Sequence, residues 1–231
     1  MPSPAPEPGN HAHSPTDHPR DRPWTREEAV ETLEAPDRAR ALDPVALWQR
    51  AGLPPGATVV DVGSGTGFFA LPAARLVGVG GHVYAVDISR ELVEYIAVRS
   101  RDEHLPQLAT VESTVDTIPL PSGIADFVLL ATVLHDISSS TVSEAVRLLR
   151  PDGRLVNLDW KKVEGPSGPP LAIRLSPSEA SELLAGHGLT LVDSWDVGTY
   201  HYVLVFERSP LPSDPAPAPG PDHAAGSRRQ V

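Results

Sequence analysis

The chain is predicted to fold as a three-layer α/β sandwich around a mostly parallel sheet, and three observations lead there. Short β-branched runs alternate with helical segments between Thr58 and Leu158, as they do where crossover helices join parallel strands. A turn with three glycines links the first such run to its helix. The last two apolar runs, Leu189–Trp195 and Tyr202–Phe206, are separated by a short loop containing Gly198, which suits an antiparallel hairpin.

The elements follow in order. Thr25 and Glu28 form a capping-box pair that opens a first helix. Asp43 as N-cap and Pro44 at the first position start a second, reaching Arg50. Leu53-Pro54-Pro55-Gly56 breaks the chain before the strand Thr58–Val62. A helix spans Phe68–Leu76, His82–Val86 is a strand, and Ser89 is expected to cap a helix reaching Arg99. Ala109–Glu112 and Ala125–Leu130 are strands, and Ser138–Leu149 is a helix. Pro151-Asp152-Gly153 is a turn before the strand Arg154–Leu158. Ser176, Pro177 and Glu179 start the last helix with a second capping box.

Composition narrows the function. Of 231 residues, 19 are Lys or Arg and 30 are Asp or Glu, a net charge of -11. Segments 1–23 and 208–231 together hold five acidic and five basic residues, so the acidity belongs to the domain at 24–207. That balance is a poor match for nucleic acid, which needs clustered Lys and Arg. Cysteine is absent, which excludes disulfides, thiolate metal sites and a cysteine nucleophile. The start lacks a basic and apolar leader pattern, and the longest apolar run is too short to span a bilayer. A soluble cytoplasmic protein with no membrane partner is expected. Both ends are rich in the chain's 26 prolines and are expected to be disordered tails. His11, His13 and His18 fall in the first tail. Such spacing sometimes binds transition metals, but here it reads as a solvated tail, and no metal site is expected.

The informative stretch is Val59-Val60-Asp61-Val62-Gly63-Ser64-Gly65-Thr66-Gly67-Phe68-Phe69. Glycines let a ligand approach the backbone, and the helix start offers unpaired N–H groups. A dinucleotide loop would place its third glycine at position 68, which is Phe. Asp61, two residues before the first glycine, would repel a pyrophosphate and attract an ammonium group. Asp87 ends the next strand, where a carboxylate reaches ribose hydroxyls. The site therefore asks for a ribose, an amino-acid-like end and no phosphate, which S-adenosylmethionine satisfies. Both acids also suit structural roles, Asp61 as a buried hydrogen-bonder and Asp87 as a helix cap.

Together with Val83-Tyr84-Ala85-Val86-Asp87-Ile88-Ser89, Ile118-Pro119-Leu120-Pro121, Ala125–Leu130 and Leu149-Arg150-Pro151-Asp152-Gly153-Arg154-Leu155, this stretch resembles the class I S-adenosylmethionine-dependent methyltransferases, in their small-molecule or uncharacterised bacterial branch. The resemblance covers about Leu42–Arg208. It implies a Rossmann-like seven-stranded sheet of order 3-2-1-4-5-7-6 with strand 7 antiparallel, beneath N-terminal cover helices. It implies that Asp61 orients the methionine amino group and that Gly63, Ser64, Gly65 and Gly67 line the loop under the cofactor. By the same resemblance Asp87 takes the ribose, Ile88 packs on the adenine, and Val115 or Asp116 meets the adenine amino group. The reaction implied is methyl transfer to an O or N nucleophile of a small-molecule acceptor. Without cysteine, methylation of arsenite is excluded.

His135 and Asp136 follow the fourth strand, on the rim where an acceptor would approach. His135 is the candidate catalytic base, with pocket shaping as the plainer role. Trp160 and Lys161 are candidate pocket walls, Tyr200 and His201 isolated polar residues near the hairpin, and Arg38 a candidate partner for the cofactor carboxylate. Two rival readings stand beside this one: a nicotinamide-dependent oxidoreductase, and a cofactor-binding relative that performs no catalysis.

Overall fold

A computed structural model of the chain describes residues 24–165 and 167–209. The segment 1–23, with its three histidines, and residues from 210 onward lie outside the described residues, so the first expected tail and all but Arg208 and Ser209 of the second do too. The elements run α1 (Arg26–Leu33), α2 (Pro36–Ala41), α3 (Pro44–Ala51), β1 (Thr58–Val62), α4 (Ala70–Val77), β2 (His82–Asp87), α5 (Arg90–Asp102), β3 (Leu108–Glu112), β4 (Ala125–Ala131), α6 (Ser139–Leu148), β5 (Leu149–Trp160), α7 (Pro177–Ala185), β6 (Leu189–Val197) and β7 (His201–Arg208). The strands form one sheet of order β3-β2-β1-β4-β5-β7-β6. Strands β1 to β5 pair in parallel, and β7 runs antiparallel to both β5 and β6.

Helix starts follow local chemistry. Thr25 accepts the Glu28 N–H while the Glu28 side chain accepts the Thr25 N–H, and Ser176 and Glu179 do the same for α7. Asp43 accepts from Val45 and Ala46, and Gly52 ends α3 in the left-handed region. Ser89 departs from expectation. Its hydroxyl does not cap α5 but donates to the Trp24 carbonyl at 2.8 Å, which ties the cover helices to the end of β2. α2 was not foreseen as a helix. It is only six residues long and has no side-chain cap; its local signals are Pro36 at the start and Asp37 in the first turn.

β5 also differs. It begins at Leu149 and runs through the expected turn. Ala125 pairs with Leu149 and Phe127 with Arg154, so Pro151-Asp152-Gly153 is a bulge inside a longer strand. A Cβ at Gly153 would lie 2.7 Å from the Ala125 carbonyl oxygen, so the bulge needs glycine there. β7 extends through Arg208, one residue past the expected domain edge.

Strand alternation splits the core into two layers. Val59, Val83, Leu129, Val156 and Val203 pack with α3, α4 and α5. Val60, Val62, Leu130, Leu155 and Phe206 pack with α6 and α7. Trp48 of α3 is fully buried, meets Phe127 edge-on at 6.4 Å, and donates from Nε1 to the Phe69 carbonyl at 3.1 Å. It thereby pins the start of α4, the helix that leaves the glycine loop. Trp48→Ala is expected to destabilise the fold by about 3–5 kcal/mol, read as a lowered denaturant midpoint. A loss below about 1 kcal/mol would show that this contact does not anchor the layer.

Candidate active site

β1 lies between β2 and β4, and the chain winds outward from it in both directions. In an open α/β sheet, such a reversal opens a crevice at the carboxyl ends of the strands. Here the glycine loop follows β1. The N–H groups of Gly63 and Ser64 donate to the Val86 carbonyl at 2.8 and 2.9 Å. Asp87 reaches across from β2, accepting the Gly65 N–H on Oδ2 and the Ser89 N–H on Oδ1, each at 2.9 Å. Gly63, Gly65 and Gly67 all have positive φ, where a side chain is strained. A Cβ on Gly63 would lie 2.7 Å from Val133 Cγ1, and one on Gly65 would lie 2.6 Å from Leu33 Cδ1. The loop therefore touches the β4 turn on one side and the cover helix α1 on the other.

Asp61 is the unusual group. Its side chain is buried, and neither oxygen has a hydrogen-bond partner among the described residues. The Ala70 amide faces it from the start of α4 without reaching hydrogen-bond geometry. Burial, reinforced by the charge of Asp87 and opposed by Arg38, pushes the carboxyl up to about 7. The hydroxyls of Ser64 and Thr66 are also buried without partners. Burial raises Asp87 as well, against the pull of the Ser89, Gly65 and Ile88 amides. Arg38, from α2, stacks on Phe68 at 4.5 Å and Phe69 at 5.7 Å and donates to the Leu33 carbonyl. Burial lowers it to about 10, and Asp61 acts the other way.

Next to Asp87 the surface turns apolar. Ile88 is 40% exposed and Val115 is 56% exposed. Asp116 is exposed and accepts from Ser140 at the start of α6. The Val115 carbonyl accepts the Thr141 hydroxyl, and its side chain is left exposed.

The turn after β4 carries the second group of residues. Thr132 has φ 55°, and its N–H donates to the Leu158 carbonyl at 2.6 Å. That elbow presents Val133 to Asp136. His135, 8% exposed, sits with Nδ1 2.8 Å from Asp159 Oδ1. Asp159 is fully buried near the end of β5, and its Oδ1 also accepts the Trp160 N–H. Asn157, two residues earlier on the same face, is fully buried beside Tyr202. Asp159 and Asn157 were missed as site residues. The signal was available: they are polar residues at alternate positions of a strand that is otherwise apolar there.

The remaining candidates scatter. Trp160 stacks on His201 at 4.0 Å between ring centres. Burial first, then the Arg38 charge, pulls His201 down to about 4. Lys161 pairs with Asp196 at 2.9 Å. Tyr200 packs against Gly165. Arg174 holds the loop after β5, donating to the carbonyls of Lys161, Val163, Ser167 and Pro169 beneath the Trp160 ring. At the opposite end of the strands, a hollow near Pro54 and Gly56 is lined by ions that pair with each other, Arg150 with Asp126 and Arg154 with Glu207. Among the described residues, no helix is long and apolar enough to cross a membrane.

Fold and crevice together define a doubly wound α/β domain with a ligand site at the carboxyl end of its central strand. A methyltransferase-domain family model matches residues 60–157. A solved S-adenosylmethionine-dependent methyltransferase from Aquifex aeolicus superposes with a TM-score of 0.75 at 30% identity, covering 79% of this chain and 98% of that one. The ubiquinone/menaquinone biosynthesis C-methyltransferase UbiE of Vibrio vulnificus (strain YJ016) is 28% identical over 124 residues, 50% of this chain and 48% of its own. An uncharacterized 37.1 kDa protein in transposon Tn4556 of Streptomyces fradiae is 33% identical over 135 residues, 57% of this chain and 38% of its own. The chain thus spans about half or less of the length of these curated relatives. It belongs to the class I S-adenosylmethionine-dependent methyltransferase family, whose cofactor is S-adenosylmethionine.

Asp61 leads to a stability prediction. Its folded pKa lies above the ordinary carboxylate value, so the folded state holds its proton longer than the unfolded chain does. Stability from this group is then greatest below pH 4, falls as pH rises toward 7, and is flat above that. The loss is about 4 kcal/mol. Asp61→Asn should remove it, so the variant should gain on the parent between pH 5 and pH 8 in thermal melts. A gain that does not change with pH would contradict the buried, partnerless state.

Proposed function

We propose that this chain transfers a methyl group from S-adenosylmethionine to a nucleophilic atom of a small-molecule acceptor. The observation that carries the reading is Asp61: a buried carboxyl whose oxygens have no hydrogen-bond partner among the described residues, on the strand that feeds the glycine loop. A buried charge asks for a counter-charge, and the ammonium of a methionine end supplies one. In this reading Asp61 meets that ammonium and the backbone of Gly63, Ser64, Gly65 and Gly67 lines the floor. Asp87, already oriented by two amides, takes the ribose hydroxyls. Ile88 and Val115 sandwich the adenine as apolar walls, and Asp116 reaches its amino edge from the loop before α6. The residues fit the cofactor. When bound, it supplies an electrophilic methyl on sulfur with a neutral leaving group, so the protein's part is to align reactants and exclude water.

His135 is the acceptor-side base in this proposal. The sequence pointed to oxygen or nitrogen as the methylated atom. Relatives named as C-methyltransferases add carbon to the acceptors that an initial screen must include. The net charge of -11 argues against nucleic acid as acceptor.

Calorimetric titration with S-adenosylhomocysteine tests the cofactor half. Asp87→Ala should weaken binding roughly 10- to 100-fold, the scale of hydrogen bonds to a charged group; unchanged affinity would remove Asp87 from the site. Affinity of the parent should rise between pH 6 and pH 8 as Asp61 ionises, and Asp61→Asn should abolish that rise. Labelled cofactor incubated with fractionated cell extract tests the other half: label in a small-molecule fraction supports the reading, and label confined to protein or nucleic acid overturns it. With an acceptor in hand, His135→Ala should lower kcat by roughly 100-fold or more, within the usual range for a general base, and leave cofactor affinity nearly unchanged.

A further inference from the structure

His135 and Asp159 come from different strand ends, 24 residues apart, and meet on the side of the sheet packed by α6 and α7. The 2.8 Å contact joins His135 Nδ1 to Asp159 Oδ1. The same oxygen accepts the Trp160 backbone N–H at 2.8 Å. An N–H can only donate, so Oδ1 acts as an acceptor there, and the hydrogen between it and the ring belongs to Nδ1. The imidazole is thus set with Nδ1 protonated and Nε2 as its basic nitrogen. Asp159 itself cannot turn away. It is fully buried, and its directly paired neighbour across the sheet is Tyr202, a residue buried on the same side and held by its hydroxyl to the Leu175 carbonyl at 3.0 Å. Asp159 Oδ2 has no hydrogen-bond partner among the described residues. A buried carboxylate left half-satisfied in this way is costly. It is understandable where an imidazole beside it must become positively charged during turnover.

We infer that Asp159 is the positioning residue for His135, fixing the tautomer that lets Nε2 take a proton from the methyl acceptor, and that the acceptor's reacting group therefore holds a proton near neutral pH, as a hydroxyl or N–H does and a carboxylic acid does not. This deepens the methyltransferase reading and rests on it. A carboxylate acceptor is already ionised near neutral pH and needs no base. A hydroxyl or N–H acceptor must give up a proton during methyl transfer. The balance is simple: the acceptor atom bonds to the methyl carbon, the carbon–sulfur bond breaks with its pair remaining on sulfur, and the acceptor's proton goes to His135 Nε2. Asp159, held by Trp160, neutralises the resulting imidazolium without leaving its place.

The test is 15N NMR of histidine-labelled protein, with the His135 signals assigned by their loss in His135→Gln. The parent should show Nδ1 protonated and Nε2 unprotonated. Asp159→Asn keeps an oxygen that can accept both N–H groups and should keep that tautomer. Asp159→Ala lacks it and should revert to the Nε2–H form that free imidazole side chains favour. A parent signal with Nε2 protonated, or an Asp159→Ala signal unchanged from the parent, overturns the proposal. If Asp159→Ala does not fold, the parent and Asp159→Asn spectra still decide it. Labelled product should hold its methyl group in mild alkali, as an ether, an N-methyl or a carbon–methyl does; release of methanol, the mark of a carboxyl ester, overturns the acceptor class. Titration of the parent with S-adenosylhomocysteine separates the two claims, because absent binding removes the methyltransferase reading and leaves the tautomer result standing.

Discussion

The carboxyl end of β1 holds a charge that water cannot reach, and much of the surrounding architecture answers to that. Asp61 is paired in the sheet with Ala85 on one side and Leu129 on the other, neither of which offers a side-chain donor. The glycine loop above it carries two further buried hydroxyls without partners. Arg38 approaches from the cover and offsets part of the cost. Left alone, this arrangement favours a protonated Asp61 near neutral pH. It becomes favourable when a cation is brought beside it, which is the sense in which stability has been given up for binding at this point.

The cover is fastened to the same loop by several independent ties. Trp24 receives the Ser89 hydroxyl, and the Arg26 N–H donates to Glu91. Glu34 takes Tyr95 and Arg99, and Arg99 also donates to the Thr66 carbonyl. Leu33 rests against Gly65. Glycine at 65 thus serves a protein–protein approach as well as the backbone conformation. The same holds at Gly63, where Val133 approaches. The glycine loop is therefore the place where β1, the β4 elbow and the N-terminal helices converge, and a change in any of them is felt there.

The sheet separates the two halves of the proposed chemistry. Asp61 lies on the face covered by α3, α4 and α5, and the His135–Asp159 pair on the face covered by α6 and α7. Both open at the carboxyl ends of parallel strands, so the strand direction common to β1, β4 and β5 delivers them to one edge. β7, entering antiparallel beside β5, sets Tyr202 beside Asp159 on the face packed by α6 and α7, and His201 beside Trp160 on the other face. A parallel strand there would present different residues at that edge.

Local sequence determined where each strand lies, most helix starts, the glycine loop and the two aspartates near the ends of β1 and β2. Each of those depends on neighbours within a few residues: β-branched runs, caps such as Thr25 and Ser176, glycines that alone tolerate positive φ. Asp61, Asp87 and His135 were legible for the same reason, since each stands at a fixed offset from a strand end. What the sequence could not determine depends on contacts between distant segments. Ser89 looked like a cap, and a carbonyl 65 residues away took its hydroxyl. α2 is short and uncapped, with Pro36 as its start signal, and it packs Arg38 onto Phe68 and Phe69. Asp159 gained a role only when parallel pairing of β4 with β5 set it against His135. Burial of Asp61 without a partner is likewise a property of the assembled sheet, because a strand in isolation leaves every carboxylate in water.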